Sequence, residues 1–177
     1  MKLILKGHRY VYEIENTVRS FGVKISDISF DGTWKKSKDD GFCYSRLVKS
    51  SKGIRLLIAV KLHGDIRMVK TSLSFYADKK EIEFSFCDAV FNILTEITGF
   101  SPAWGLLTGV RPVKLMLTIC DEIGSFEEAE KVLRTKYRVS EKKTELLSNV
   151  SQFAESVSKR VEPLSCSLYI SIPLRDI

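Results

Sequence analysis

Apolar positions along the first hundred residues switch between two periods. Leu3, Ile4 and Leu5 form a short run closed by Gly7, which predicts a strand. From His8 to Phe21, Tyr10, Ile14, Val18 and Phe21 recur at helical spacing, and Gly22 ends the run. Val23, Ile25, Ile28 and Phe30 predict a second strand with an irregularity near Asp27. The polar stretch 31–41, with three lysines and three aspartates, reads as a long hairpin loop. Three strands are then predicted over Phe42–Val48, Ile54–Leu62 and Ile66–Tyr76, separated by Lys49-Ser50-Ser51-Lys52-Gly53 and His63-Gly64-Asp65. Turns this short force antiparallel pairing, because a parallel return needs a crossover.

A long amphipathic helix follows. Asp78 caps it with Glu81 at the capping-box position, Ile82, Phe86, Ala89, Val90, Ile93, Leu94 and Ile97 line one face, and Gly99 ends it. That stripe needs the sheet to bury it. Residues 1–100 are therefore expected to form an α+β domain, an antiparallel sheet of about four or five strands with two helices on one face.

Residues 101–162 read as a small three-helix bundle. Pro112 suits a first helical turn, and Val113, Met116, Leu117, Cys120 and Ile123 make a stripe closed by Gly124. Ser125 with Glu128 opens a second helix carrying Ala129, Val132, Leu133 and Tyr137. Ser140 caps a third, with Leu146, Leu147, Val150, Phe153, Ala154, Val157 and Val161 expected inward, until Pro163 stops it. Residues 163–177 change again. Cys166 to Pro173 alternates like a strand that either returns to the N-terminal sheet or opens a further domain.

Composition narrows the function classes. Hydrophobic residues are 44% and charged residues 28% of 177, ordinary for a globular chain long enough to bury a core. No run approaches the ~20 apolar residues of a membrane span, and the N-terminus lacks a signal-peptide core, so a cytoplasmic protein that does not enter membranes is expected. The net charge of +6 is uneven. Residues 1–100 hold 17 basic and 12 acidic side chains (+5), and residues 101–177 hold 11 and 10 (+1). The lysines are scattered, as on solvated strands and turns, although a patch for an anionic partner is also compatible. Cys43, Cys87, Cys120 and Cys166 form no CxxC or CxxH pair, so no metal site is expected. His8 stands beside Gly7 and His63 in the turn His63-Gly64-Asp65; Ser/His/Asp or Cys/His catalysis is geometrically possible but has no local support in the sequence.

One segment carries more information than helix and strand grammar: Trp104-Gly105-Leu106-Leu107-Thr108-Gly109-Val110-Arg111-Pro112-Val113-Lys114. Two glycines and a proline in so short a stretch specify a particular backbone path. Thr108, Gly109, Arg111 and Lys114 lie around a predicted helix N-terminus, where free N–H groups and positive side chains favour an anion. The other reading is a structured linker in which Trp104 is buried between the two halves and Arg111 pairs with a carboxylate of the bundle.

The segment resembles the N-terminal region of coproporphyrinogen dehydrogenases, the oxygen-independent coproporphyrinogen III oxidase-like radical SAM proteins. The resemblance extends through Ser125-Phe126-Glu127-Glu128-Ala129, through Tyr137, Val139, Ser140, Lys143, Leu146 and Leu147, and through Ser167, Tyr169, Ile170, Ile172 and Pro173. It implies that the last of these strands opens a radical SAM barrel. In the family a Cys-rich loop follows at once, and its three cysteines hold a [4Fe–4S] cluster that cleaves S-adenosylmethionine. Here Pro173 is followed by Leu174-Arg175-Asp176-Ile177.

The expectation is thus a non-catalytic accessory module of porphyrin biosynthesis, cut or frame-shifted at the threshold of the barrel. In a full-length relative the barrel would be its partner. No catalytic residue is assigned, and no cofactor is expected in this chain. Trp104, Gly105, Thr108, Gly109, Arg111, Pro112 and Lys114 form the candidate anion-binding or barrel-contact motif. The alternative is a stand-alone basic nucleic-acid-binding protein that displays Phe42, Tyr44 and Arg46 on an open sheet.

Overall fold

The computed structural model describes residues 1–33, 41–51, 53–108 and 111–158. The fold is α+β. Strands β1 (Lys2–Lys6), β2 (Asp27–Phe30), β3 (Phe42–Ser50), β4 (Gly53–Leu62) and β5 (Asp65–Leu73) form one sheet in the order β2-β1-β3-β4-β5. Alternation decides which face is covered. Leu3, Leu5, Cys43, Ile54, Leu56, Ile58 and Val60 point to one side. There they meet Ile14 and Val18 of α1 (Val11–Ser20) and Ile82, Phe86, Val90 and Leu94 of α2 (Lys79–Thr98). Each such Ile, Leu or Phe side chain contributes about 1.5–3 kcal/mol when removed from water.

The sheet is mixed, which corrects the antiparallel reading. Strands β3, β4 and β5 pair antiparallel through their short turns, but β1 runs parallel to both β2 and β3. For β2 the reason is α1, which carries the chain back along the sheet before β2 begins and so makes a crossover unit; β3 runs the same way as β2, so the chain recrosses a second time between them. It follows that 31–41 does not close a hairpin. Its two flanking strands lie on opposite sides of β1, and residues 34–40 lie outside the described residues.

Helix ends follow their local chemistry. The Glu81 N–H donates to Asp78 Oδ1 at 2.7 Å, and Gly99 closes α2 in the left-handed conformation. In α3 (Pro112–Ile123) proline occupies the first turn and Gly124 follows the last. In α4 (Phe126–Thr135) the Glu128 N–H donates to Ser125 Oγ at 3.4 Å. With α5 (Glu141–Ser158), these helices enclose Met116, Ile119, Cys120, Ala129, Leu133, Val139 and Leu147.

Helix α5 departs from the expected inward stripe. It buries Thr144, Leu147, Ser148 and Ser151, and it exposes Leu146, Val150, Phe153 and Val157, with Phe153 71% exposed. Small hydroxyl side chains permit close approach to α3 and α4, and Thr144 satisfies itself by donating Oγ1–H to the Ser140 carbonyl at 3.0 Å. The exposed residues recur every three or four positions and so form one continuous apolar strip. Val161, Pro163 and the 166–173 strand lie outside the described residues.

Candidate functional site

Within the Trp104–Lys114 motif, residues 104–107 form the seam between the helix α2 side and the bundle. Pro102 accepts from the Gly105 N–H at 2.9 Å, and Gly105 takes φ +56°, the left-handed region that glycine enters without steric cost. Gly105 lies so close to the backbone of Tyr137 and Arg138 that a Cβ there would overlap the Tyr137 carbonyl oxygen. Two backbone bonds lock the approach, Leu106 N–H to Tyr137 O at 2.8 Å and Ser140 N–H to Ala103 O at 3.0 Å.

Past that turn, adjacent residues face opposite ways. Leu106 packs with Cys87 and Phe91 of α2, whereas Leu107 joins Met116, Ala129, Leu133 and Leu147 in the bundle. The opposing segment of the seam, Tyr137 and Arg138, adds its own ties to α2. Arg138, at φ +58°, donates Nε–H to Asp88 Oδ1 at 2.9 Å, and the Tyr137 ring meets Phe84 edge-on at 5.8 Å. The sequence motif thus supplies one side of the seam only. Tyr137 and Arg138 supply the other, and their pairing across more than thirty residues left no trace in local pattern.

The remaining motif residues do not converge on a site. Trp104 is 36% exposed, which corrects its expected burial. Its ring lies beneath Lys143 Nζ, 5.2 Å from the centroid. The turn at Gly105 directs Leu106 and Leu107 into the seam and leaves the indole on its rim. Thr108 donates its N–H to Leu106 O at 2.9 Å. Arg111 precedes α3 with its side chain exposed, and it has no carboxylate partner among the described residues. Pro112 begins α3, Lys114 points to solvent, and Gly109 lies outside the described residues.

This geometry ranks two substitutions. Leu106→Ala is expected to cost about 2–5 kcal/mol, as for a buried leucine, and Trp104→Ala about 1 kcal/mol, because a rim indole loses less. Urea unfolding of both variants checks the order, and the reverse order would return the seam to Trp104.

A second polar cluster lies between β1 and α1. His8 is buried, stacked on Phe86 with centroids 4.4 Å apart. Its Nδ1 accepts the Tyr10 N–H at 3.3 Å, so the proton belongs on Nε2, which donates to Ser45 O at 3.2 Å. Burial lowers its pKa to about 4; the Ser45 carbonyl opposes the shift and the Arg9 charge adds to it. The imidazole is therefore neutral at pH 7 and tied to the backbone on both nitrogens. Such a ring holds β1 to β3 and is not poised to move protons.

The described cysteines do not fit a cluster-binding set. Burial raises Cys43 to about 12 and Cys87 to about 11, and it also raises Cys120. Each thiol belongs to a different buried cluster. Cluster ligation needs several thiolates on one centre, and Cys166 lies outside the described residues. Among the described residues no three His, Cys, Asp or Glu side chains gather as metal ligands, and no helix is long and apolar enough to cross a membrane.

Comparison with known proteins gives one partial likeness. Over 96 residues the chain is 29% identical to the oxygen-independent coproporphyrinogen-III oxidase-like protein HemZ of Bacillus subtilis (strain 168). The match takes in 53% of this chain and 19% of that protein, so the chain spans about a fifth of the length of the relative it matches. The relationship is distant and partial. No protein-family profile matches the chain, and no solved structure does.

Proposed function

We propose that this chain is a non-catalytic accessory module of a coproporphyrinogen oxidase-like protein, acting by packing against the part of such a protein that lies outside the match. The observation that carries the reading is the 29% identity confined to about a fifth of the relative's length. The exposed strip on α5 supports it. A helix that buries serines on one side and leaves Leu146, Val150, Phe153 and Val157 on the other has an apolar face still to cover. In this reading the Gly105 seam fixes the angle between sheet and bundle, and so places that strip. Any iron–sulfur or S-adenosylmethionine chemistry belongs to the packed partner and not to the residues described here. The nucleic-acid alternative loses its first footing, because Phe42 and Tyr44 are 2% and 4% exposed and offer no stacking surface.

The test mixes this chain with the Bacillus subtilis relative from which the matching stretch has been deleted. Calorimetric titration is expected to give a Kd of about 1 μM or tighter, equivalent to roughly −8 kcal/mol. Phe153→Glu should weaken the association at least about tenfold, since a buried apolar anchor becomes an unpaired charge. No association at concentrations near ~100 μM, or full association of the Phe153→Glu variant, would sink the reading.

A further inference from the structure

The sheet face turned away from α1 and α2 carries a charge pattern that the seam does not use. Strand register places Lys6, Arg46, Leu57 and Lys70 in one row across β1, β3, β4 and β5. The next row sets Arg55 between Val48 and Ser72. Neighbouring strands are about 4.8 Å apart, so each cation-bearing position lies within about 10 Å of Leu57, and the row from Lys6 to Lys70 spans about 14 Å. Alternation along β3, β4 and β5 places no carboxylate on this face, since Asp65 falls on the helix side with its partner Leu62. None of Lys6, Arg46, Arg55 and Lys70 has an acidic partner among the described residues. A groove of about 350 Å³ is lined by Arg46, Val48, Arg55, Leu57, Lys70 and Ser72, and Lys6 stands next to Arg46 on the neighbouring strand.

An aromatic pair, Phe75 and Tyr76, follows β5 in the chain, three and four residues beyond Ser72 of the groove lining. Past Ser72 the backbone of Leu73 and Phe75 runs beside Gly53, two residues before Arg55. The two rings meet edge-on at 5.6 Å and are 58% and 89% exposed. Nothing in the fold requires two exposed aromatics there, and Tyr76 is the most exposed large hydrophobic side chain among the described residues.

We propose that this groove binds single-stranded nucleic acid, with its phosphates on Lys6, Arg46, Arg55 and Lys70 and an unpaired base stacked on Phe75 or Tyr76. Like charges in adjacent rows repel, and a threaded polyanion relieves that repulsion by releasing counterions. The cations are spread along a row instead of converging on one point, which suits a chain of phosphates better than a single small anion. An acidic protein segment would use the same cations but leave the aromatic pair idle. Stacking on an exposed ring next to a cationic track is how single strands are held without reading their sequence. The net charge of +6 and a pI near 9.1 add long-range attraction. The site lies apart from the α5 strip, so it does not depend on the accessory-module reading.

The experiment is a fluorescence-anisotropy titration of the full chain with a labelled twelve-uridine RNA across salt. Four phosphate contacts predict a log–log salt slope near −3, from about −0.7 per contact on a single strand. Arg55→Glu and Lys70→Glu should each weaken binding about tenfold and flatten the slope by more than half a unit. Tyr76→Ala should weaken it about fivefold or more with the slope unchanged, because stacking carries no counterion. Lys142→Glu and Lys143→Glu on α5 make the same change in net charge far from the groove and should leave affinity within about twofold. Circular dichroism confirms that these surface variants are folded. Equal weakening by the α5 reversals would reduce the effect to net charge and overturn the proposal. So would a poly-glutamate dodecamer binding as tightly as RNA, which would assign the groove to an acidic protein segment, or no binding by ~100 μM RNA.

Discussion

Replacing Gly105 by alanine is expected to destabilise the protein by about 3–5 kcal/mol. Two costs combine. Alanine at φ +56° pays the left-handed penalty of about 1–2 kcal/mol, and its Cβ collides with the Tyr137 carbonyl oxygen. That oxygen is backbone, held in place by the Leu106 N–H at 2.8 Å, so it can retreat only by opening the seam. Gly22 separates the two costs. It has φ +76°, but nothing lies within 4 Å of where a Cβ would stand, so Gly22→Ala should lose only about 1–2 kcal/mol. Urea midpoints for the two variants give the comparison. If Gly105→Ala lies within about 1 kcal/mol of Gly22→Ala, the seam yields and the close approach is not a constraint.

Stability is expected to fall by about 3 kcal/mol as pH drops from 6.5 to 4, through His8 alone. The folded pKa of His8 is about 4, against 6.5 when unfolded. Between those values the unfolded chain binds a proton that the folded chain refuses, so acid favours unfolding. The contribution is fully present above pH 6.5, is lost as pH falls toward 4, and changes no further below that. His8→Gln keeps a side-chain donor for Ser45 O but does not titrate. The difference in unfolding free energy between wild type and this variant should therefore slope with pH only between about 4 and 6.5. A difference that is flat across that window would mean the imidazole charges without penalty, and the burial between Tyr10 and Phe86 would not be isolating it from water.

The amino-acid sequence determined every element whose signal is local. Asp78 with Glu81, Ser125 with Glu128, Pro112 and the two helix-ending glycines set the bounds of α2, α3 and α4, because caps and left-handed termini act within one turn of chain. The stripe on α2 and the alternation in β3 and β4 likewise chose their buried faces unaided. Three features were settled only in three dimensions. Strand β1 runs parallel to β2 because α1 reverses the chain, and to β3 because the chain recrosses between β2 and β3, and apolar alternation is the same for either pairing direction. Helix α5 carries apolar residues over too wide an arc for periodicity to say which part is covered. Close packing against α3 and α4 selected the narrow serine and threonine side and left Leu146, Val150, Phe153 and Val157 outside. The motif at Trp104 announced an unusual backbone path, but its meaning lay in Tyr137 and Arg138, which no spacing within the motif could reveal. The same holds for Lys6, Arg46, Arg55 and Lys70: scattered over sixty residues, they become one charged surface only when strand register fixes which side chains share a row.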